Sequence, residues 1–229
     1  MNTSPTSEPS RWREPLARAR LMLLFSPGLC SPRDPREILD AVFGLVDIVQ
    51  IRAKTPGSHV LGSARETYDA SLLALDLASV HGRDSALVIV NDRVDVAAAL
   101  LDRGCAGVHV GQDDCPVELA RQTLGPSALV GLSTHSMQQV GDAWDRPVDY
   151  LGFGPVYPSS TKGYASGLGP ESAWIASQGS PIPLFPIGGI DPTNLGELAR
   201  VGRAAVSSAI LRAEDPAAAA RELRSLLSS

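Results

Sequence analysis

Three polar side chains alternate along Gln50-Ile51-Arg52-Ala53-Lys54, directly after an apolar run. Because successive side chains of an extended segment point to opposite faces, Gln50, Arg52 and Lys54 leave it on one face. Two cations and an amide on one face suit an anionic, phosphorylated ligand. A solvated strand end, whose three polar side chains reach into water, is the plain structural alternative.

Carboxylates follow the next two apolar runs. Asn91 and Asp92 end the first of these runs, and Asp113 and Asp114 come after the second. Mg²⁺ typically binds one or two carboxylates together with phosphate oxygens and water, so Asp92 with Asp113 or Asp114 suits a magnesium diphosphate. The spacing does not choose between the two later aspartates. Asp92 also has the alternative role of capping the helix that follows it.

Later segments supply hydroxyl groups, glycines and one more lysine. They are Ser133, Ser159-Ser160-Thr161-Lys162, Gly188-Gly189 and Ser207-Ser208. Glycines let backbone N–H groups approach a phosphate closely, and the loops after the last two strands of an α/β barrel frequently hold one. We therefore predict an anion site with two halves, one for a diphosphate and one for a phosphate monoester.

Such scattered residues need a scaffold that brings successive loops to one place. Eight short apolar runs, each bounded by Gly, Pro or polar residues, predict buried strands over residues 21–25, 47–51, 86–90, 107–110, 128–132, 149–153, 184–187 and 204–207. Helix starts are indicated at Asp34-Pro35, Asp191-Pro192 and Asp215-Pro216.

Eight strands alternating with eight helices predict an α/β protein with a single (β/α)8 TIM barrel over residues 21–229. A tail or a short leading helix is predicted for residues 1–20. An open, doubly wound sheet is the alternative fold, but no G-x-G-x-x-G follows an early strand to favour it.

Composition narrows the classes of function. A chain of 229 residues suits one barrel, and a net charge of −5 argues against general affinity for nucleic acid or an anionic membrane. The three cysteines show neither metal spacing nor a disulfide framework, and no apolar run approaches the roughly 20 residues that span a bilayer. We expect a soluble, cytoplasmic protein with small-molecule partners; a homo-oligomer stays open.

Taken together, the loops resemble those of the thiamine phosphate synthase family across nearly all of residues 21–227. Each motif is weak alone, whereas their order on successive predicted strands is specific. The motifs are Gln50-x-Arg52-x-Lys54, Asn91-Asp92-Arg93, Gly111-Gln112-x-Asp114, Gly131-x-Ser133, Gly154-Pro155, Ser159-x-Thr161-Lys162, Ile187-Gly188-Gly189-Ile190 and Ser207-Ser208-Ala209-Ile210.

The resemblance implies a transferase that joins an aminopyrimidine, carried as its diphosphate, to a thiazole phosphate. It implies that Mg²⁺ is held by Asp92 and Asp114, and so selects Asp114 over Asp113. The aminopyrimidine diphosphate is expected on Gln50, Arg52, Lys54, Asn91, Ser133 and Lys162. Of these, the residues expected to be catalytic are Arg52, Lys54, Ser133 and Lys162. The thiazole phosphate is expected on Ser159, Thr161, Gly189, Ser207 and Ser208.

Two other functions stay open at this stage. One is the thiazole tautomerase branch of the same superfamily, which resembles the synthases but lacks the full magnesium and diphosphate set; His135 would be its acid or base. The other is a non-catalytic barrel that binds a thiazole or thiamine phosphate. Turnover that depends on magnesium separates both from the synthase.

Overall fold

Eight parallel strands alternate with helices along the chain. The structure is a computed structural model and describes residues 10–53, 62–82, 86–158 and 166–227. The strands are β1 (Leu21–Phe25), β2 (Ile48–Ile51), β3 (Leu87–Asn91), β4 (Gly107–Val110), β5 (Leu129–Thr134), β6 (Tyr150–Phe153), β7 (Leu184–Pro186) and β8 (Ala204–Val206). The α-helices found in these residues are α1 (Arg13–Arg18), α2 (Pro35–Val42), α3 (Ala64–His81), α4 (Val94–Leu100), α5 (Val117–Leu124), α6 (Met137–Asp142), α7 (Pro170–Gly179), α8 (Ser208–Leu211) and α9 (Pro216–Leu226).

The strands form one sheet in the order β7-β6-β5-β4-β3-β2-β1-β8. Its two edges meet through a parallel bridge between Ile187, just after β7, and Ala205 in β8. This closure confirms the predicted (β/α)8 barrel. The loops that follow the strands therefore gather at one end.

All eight predicted strands form, with ends that agree with the predicted ones or shift by one or two residues. Their runs are largely apolar because a strand in a barrel is covered on both faces; every residue of β1, for example, is buried. Asp34 and Asp215 cap α2 and α9 as the Asp-Pro pattern indicates, accepting hydrogen bonds from the amides of Arg36 and Ala218.

The α-helix predicted after Asp191-Pro192 is wrong: this segment contains only the 3₁₀ turn Leu195–Leu198. The Asp191 carboxylate accepts from both the amide and the hydroxyl of Thr193, at 2.8 and 2.6 Å. The Asn194 side chain in turn accepts from the Asp191 amide at 3.0 Å. These local bonds satisfy the backbone in a turn and compete with an α-helical start.

Two apolar cores hold the fold. The larger one lies between the sheet and the helices. The smaller one fills the barrel and consists of Leu16, Ala19, Met22, Leu24, Ile48, Leu87, Ile89, Ala106, Leu129, Tyr150, Phe185 and Ala205.

The segment around α1 closes the end of the barrel where the strands begin. Leu16 and Ala19 are each 2% exposed, and Trp12 packs against the inner core. The Ser10 hydroxyl donates to the carbonyl of Ser127, just before β5, at 2.6 Å. This helix lies within the segment for which a tail or short leading helix is predicted; residues 1–9 lie outside the described residues.

An ion-pair cluster also fastens this end. The Asp149 side chain, 7% exposed, pairs with Arg121 of α5 and with Arg13 of α1. It also accepts from the amide of Val130 at 2.9 Å. These bonds tie α1 and α5 to the start of β5. None of the helices within the described residues is both long and apolar enough to cross a bilayer.

Candidate active site

A cavity of about 370 Å³ opens at the end of the barrel where the strands finish. The residues predicted for the site that line it are Gln50, Arg52, Ser133, Gly189, Ser207 and Ser208. They come from β2, from β5 and from the segments after β7 and β8. The barrel therefore brings together positions from both predicted halves of the anion site.

Arg52, half-buried just after β2, is a cation that lines the cavity. Its amide donates to the carbonyl of Phe25 at 2.8 Å, which ties the segment to β1. Burial lowers the pKa of the guanidinium, and the charge of Asp92 opposes this by raising it. Asp92 therefore lies close enough to Arg52 for their charges to interact.

Asp92 follows β3 with a left-handed backbone, at φ 63°. Asp is one of the few residue types other than glycine that adopt this conformation at all readily. Its amide donates to the carbonyl of His109 in β4 at 2.8 Å. The N-cap residue of α4 is Arg93, without a side-chain cap bond, so the capping role considered for Asp92 is not what the structure shows.

Asp114 lies in the loop after β4, the strand next to β3. Its Oδ2 accepts from the amide of Gly111 at 2.9 Å, and a Cβ on Gly111 would lie 2.7 Å from that oxygen. Asp113 is exposed, whereas Asp114 is half-buried. This loop thus holds Asp114 against its own turn and leaves Asp113 in solvent.

Asn91, Asp92 and Asp114 do not line the cavity itself. Within residues 10–53, 62–82, 86–158 and 166–227, no three His, Cys, Asp or Glu side chains are grouped as a metal site. Two carboxylates on neighbouring loops nonetheless fit Mg²⁺, because this ion commonly takes one or two carboxylates and completes its shell with phosphate oxygens and water.

A buried chain of polar side chains lies at the base of the cavity. The His109 ring is 6% exposed, with Nδ1 3.0 Å from the hydroxyl of Tyr150 and Nε2 2.9 Å from the hydroxyl of Ser133. Gln50 hydrogen-bonds to the Tyr150 hydroxyl. Burial raises the pKa of Tyr150 well above its usual value, and the bond with Gln50 opposes this, so the hydroxyl keeps its proton.

Sequence reasoning assigned no role to His109 or Tyr150. The signal that could have found them is a polar residue in an otherwise apolar strand, as in Gly107–Val110. Two glycines make room for the pair: a Cβ on Gly131 would lie 2.2 Å from Cζ of Tyr150, and one on Gly152 would lie 3.3 Å from Cε1 of His109. Larger residues at these positions would displace both rings.

The half predicted for a phosphate monoester is built mainly from backbone. Gly188 and Gly189 have φ of 101° and 65°, a region that favours glycine. A Cβ on Gly189 would lie 2.5 Å from the carbonyl oxygen of Pro158. The Ser207 hydroxyl donates to the carbonyl of Leu24 at 2.8 Å, so its one proton is already used. Ser208 and the first amides of α8 remain as donors on this side.

A brace joins the loop after β6 to the segment after β7. The Tyr157 hydroxyl lies 2.9 Å from Oε2 of Glu197 and 3.1 Å from the carbonyl of Asn194. The Asn194 amide group donates to the carbonyl of Gly189 at 2.8 Å. The brace thus fixes the glycine turn against the base of the loop.

Four residues predicted for the site cannot be placed in this geometry. Lys54, Ser159, Thr161 and Lys162 lie outside the described residues. Their predicted roles stay predictions.

Comparison with known proteins gives one consistent result. A family model described as thiamine monophosphate synthase matches residues 21–210. A thiamine-phosphate synthase of Mycobacterium sp. (strain KMS) is 42% identical over 204 residues, which cover 86% of this chain and 87% of that protein. The solved thiamine phosphate pyrophosphorylase from Pyrococcus furiosus superposes with a TM-score of 0.76 at 29% identity, covering 95% of this chain and 98% of that one.

Some relatives are much longer. The thiamine-phosphate synthase of Synechococcus sp. (strain CC9605) is 39% identical over 216 residues, which are 93% of this chain and 57% of that protein. That of Synechococcus sp. (strain WH7803) is 38% identical over 227 residues, 95% of this chain and 60% of that protein. The chain thus spans less than two thirds of these relatives.

Proposed function

Because the chain belongs to the thiamine monophosphate synthase family, we propose that it condenses an aminopyrimidine diphosphate with a thiazole phosphate, giving thiamine phosphate and diphosphate. The observation that carries this proposal is the shared cavity. Gln50, Arg52 and Ser133 line it on one side, and the turn at Gly189 with Ser208 lines it on the other. One space thus offers donors for two phosphorylated substrates.

The residues fit a dissociative substitution. Diphosphate leaves from the methylene group of the electron-rich aminopyrimidine, and the thiazole nitrogen, already a nucleophile, attacks the cation that remains. The protein therefore needs neither a nucleophile of its own nor a strong base. Its task is to stabilise the charge that develops on the leaving oxygen, for which preorganised donors are most effective.

Arg52 is suited to this task. It lines the cavity, it is half-buried, and Asp92 helps to keep it charged. We assign it to the diphosphate together with Asn91 and, from the resemblance, with Lys54 and Lys162. Losing one such donor typically costs about 3 kcal/mol, or a factor of roughly 10² to 10³ in rate.

Magnesium is part of the proposal. Asp92 and Asp114 would hold it, and when bound the ion would neutralise charge on the diphosphate. Their carboxylates come from loops that follow neighbouring strands, one beside Arg52 and one held by the Gly111 amide. The donor set leaves room for phosphate oxygens to complete the coordination.

For the thiazole phosphate we assign the backbone at Gly189, the side chain of Ser208 and the amides at the start of α8. Ser207 would contribute through its backbone, since its hydroxyl proton is engaged with Leu24. The resemblance adds Ser159 and Thr161. This side of the cavity suits a phosphate monoester because backbone N–H groups can converge on it.

The direct test is to incubate the purified protein with both substrates and Mg²⁺, then measure thiamine phosphate and diphosphate with and without a chelator. We expect both products in equal amounts, and only when free metal is present. As a control for variants of the site, Ser71→Ala should keep this activity. Its buried hydroxyl donates to the carbonyl of Thr67 within α3, away from the cavity. Absence of product with intact, metal-loaded protein would overturn the proposal.

One observation favours a second candidate, an isomerase of the thiazole tautomerase type. His135 lines the cavity, and its Nδ1 lies 2.6 Å from the carbonyl oxygen of Gly154. A carbonyl only accepts, so Nδ1 carries the proton and Nε2 of the neutral ring is left as a base. Isomerisation of a thiazole phosphate that ignores chelator and is lost in His135→Gln would support this candidate.

A further inference from the structure

The buried chain from Gln50 to Ser133 crosses the barrel from β2 to β5. Gln50 is 2% exposed, Tyr150 is fully buried and His109 is 6% exposed, whereas Ser133 is half-buried and lines the cavity. The chain therefore leads from the barrel interior to the place where substrate would bind. Each hydroxyl in this chain has one proton to donate, and a neutral histidine ring has one donor and one acceptor nitrogen, so the direction of one bond fixes the direction of the next.

The hydrogen-bond direction can be worked out from the Gln50 end. The Gln50 amide nitrogen lies 3.5 Å from the sulfur of Met22, which only accepts. The same amide nitrogen carries a second proton, which it can donate to the Tyr150 hydroxyl oxygen. The Tyr150 oxygen thus accepts a hydrogen bond from Gln50, and its own O–H is left to donate one.

The Tyr150 proton has one polar destination among the described residues, Nδ1 of His109 at 3.0 Å. Were Nδ1 protonated instead, the phenol proton would have to face apolar neighbours such as Phe185, whose ring meets that of Tyr150 edge-on at 5.9 Å. A buried hydroxyl without an acceptor is costly. Nδ1 is therefore the acceptor and, in the neutral ring, Nε2 carries the proton.

Nε2 then donates to the Ser133 oxygen at 2.9 Å, and the Ser133 hydroxyl has its own proton left for the cavity. We propose that Tyr150 and His109 are positioning residues that orient the Ser133 hydroxyl as a hydrogen-bond donor toward the bound substrate. The direction of the chain follows from its own contacts; only the identity of the acceptor in the cavity rests on the proposed function.

The first test reads the His109 tautomer without any assay of activity. Protein labelled with ¹⁵N-histidine is studied by long-range ¹H–¹⁵N spectra, and His109 is assigned among the four histidines by its loss in His109→Gln. We expect the neutral Nε2–H form in the unmodified protein. The Nδ1–H form would overturn the proposal whether or not the protein is a synthase.

Two variants locate what sets the tautomer. Tyr150→Phe removes the donor to Nδ1, so we expect the Nδ1–H fraction to rise. Ser133→Ala leaves that donor in place, so Nε2–H should persist. The reverse pattern would show that the hydrogen bonds run from Ser133 to Tyr150. Ser71→Ala, which removes a buried hydroxyl elsewhere, should leave the spectrum unchanged.

Steady-state kinetics supply the second test. Tyr150→Phe should lower kcat roughly tenfold, the effect of about one neutral hydrogen bond, with a smaller change in KM. Added to Ser133→Ala it should have no further effect, because both act through one hydroxyl. Additive losses would show that Tyr150 does not act through Ser133. A protein with the expected tautomer but no turnover would contradict the proposed function and leave the hydrogen-bond direction standing.

Discussion

The guanidinium of Arg52, at the end of β2, interacts through its charge with the carboxylate of Asp92, just after β3. The strands are neighbours, so the barrel places the cation that we propose for the leaving group beside a carboxylate that we propose for magnesium. Each charge offsets the cost of burying the other. A substitution of Arg52 should therefore change the Mg²⁺ concentration that the reaction needs, and a substitution of Asp92 should change the binding of the diphosphate.

Asp92→Asn and Asp114→Asn should each raise the Mg²⁺ concentration needed for half-maximal rate. We expect at least the roughly 10- to 100-fold loss of metal affinity that even outer partners of a metal site can cause. Asparagine at position 114 can still accept from the Gly111 amide, so the loop should be preserved. The measurement is the rate as a function of Mg²⁺ concentration.

Asp113→Asn is the matched control for these variants, since Asp113 is the exposed neighbour in the same loop. Its Mg²⁺ dependence should equal that of the unmodified protein. A shift as large as that of Asp114→Asn would contradict the choice of Asp114 over Asp113 as the magnesium ligand.

Gly131→Ala should destabilise the fold and disturb the base of the cavity. The added Cβ would lie 2.2 Å from Cζ of Tyr150 and 2.5 Å from Nδ1 of His109, so both rings must shift. Overpacking of this kind costs about 1–3 kcal/mol. Urea unfolding measures the free energy of unfolding, and the rate of thiamine phosphate formation should fall as well.

Gly141→Ala, in α6, should have the opposite effect on stability. A Cβ there meets nothing within 4 Å, and the residue is helical. Alanine should then stabilise the protein by about 0.5–1 kcal/mol. Equal effects at positions 131 and 141 would mean that the close contacts around Tyr150 do not exist in solution.

Asp149→Ala should weaken the end of the barrel where the strands begin. It leaves the largely buried guanidinium of Arg121 without its carboxylate and frees the amide of Val130. Breaking a buried pair from one side typically costs about 3–5 kcal/mol. Urea unfolding measures this loss of stability, while the rate of thiamine phosphate formation per folded molecule should be preserved.

Asp69→Ala is the control, because it breaks the exposed pair with Arg65 on α3. Exposed ion pairs contribute little, so the unfolding midpoint should barely move. A comparable loss in both variants would argue that Asp149 is not buried.

Stability should fall with alkaline pH partly through Cys105. Burial raises the pKa of this thiol from 9.0 to about 11. Since the folded pKa lies above the unfolded one, the unfolded state loses its proton first, and the contribution is complete below pH 9 and lost toward pH 11. Unfolding free energies measured across this window should show a shallower slope in Cys105→Ala than in the unmodified protein.

Cys115→Ala serves as the comparison, since this thiol is only half-buried and lies in the loop after β4. Identical slopes in all three proteins would show that Cys105 ionises normally in the fold.

The sequence by itself determined the barrel. Short apolar runs bounded by turn residues specify strands covered on both faces. The Asp-Pro pairs at positions 34 and 215 specify helix starts through hydrogen bonds that reach only two or three residues along the chain. These signals are local, so they can be read along the chain. The same argument fails at Asp191, where bonds to Thr193 and Asn194 favour a turn over a helix.

The tertiary structure alone decided how the side chains meet. Position along the chain gives no distance between Gln50, His109, Ser133 and Tyr150, which lie on different strands and form one buried chain only after the barrel closes. The sequence also does not show the partner of a hydroxyl: the Ser207 hydroxyl donates its proton to the carbonyl of Leu24. Nor does it show that Leu16 of α1 packs into the core inside the barrel. These relationships depend on burial and on contacts between distant segments, which the order of residues does not contain.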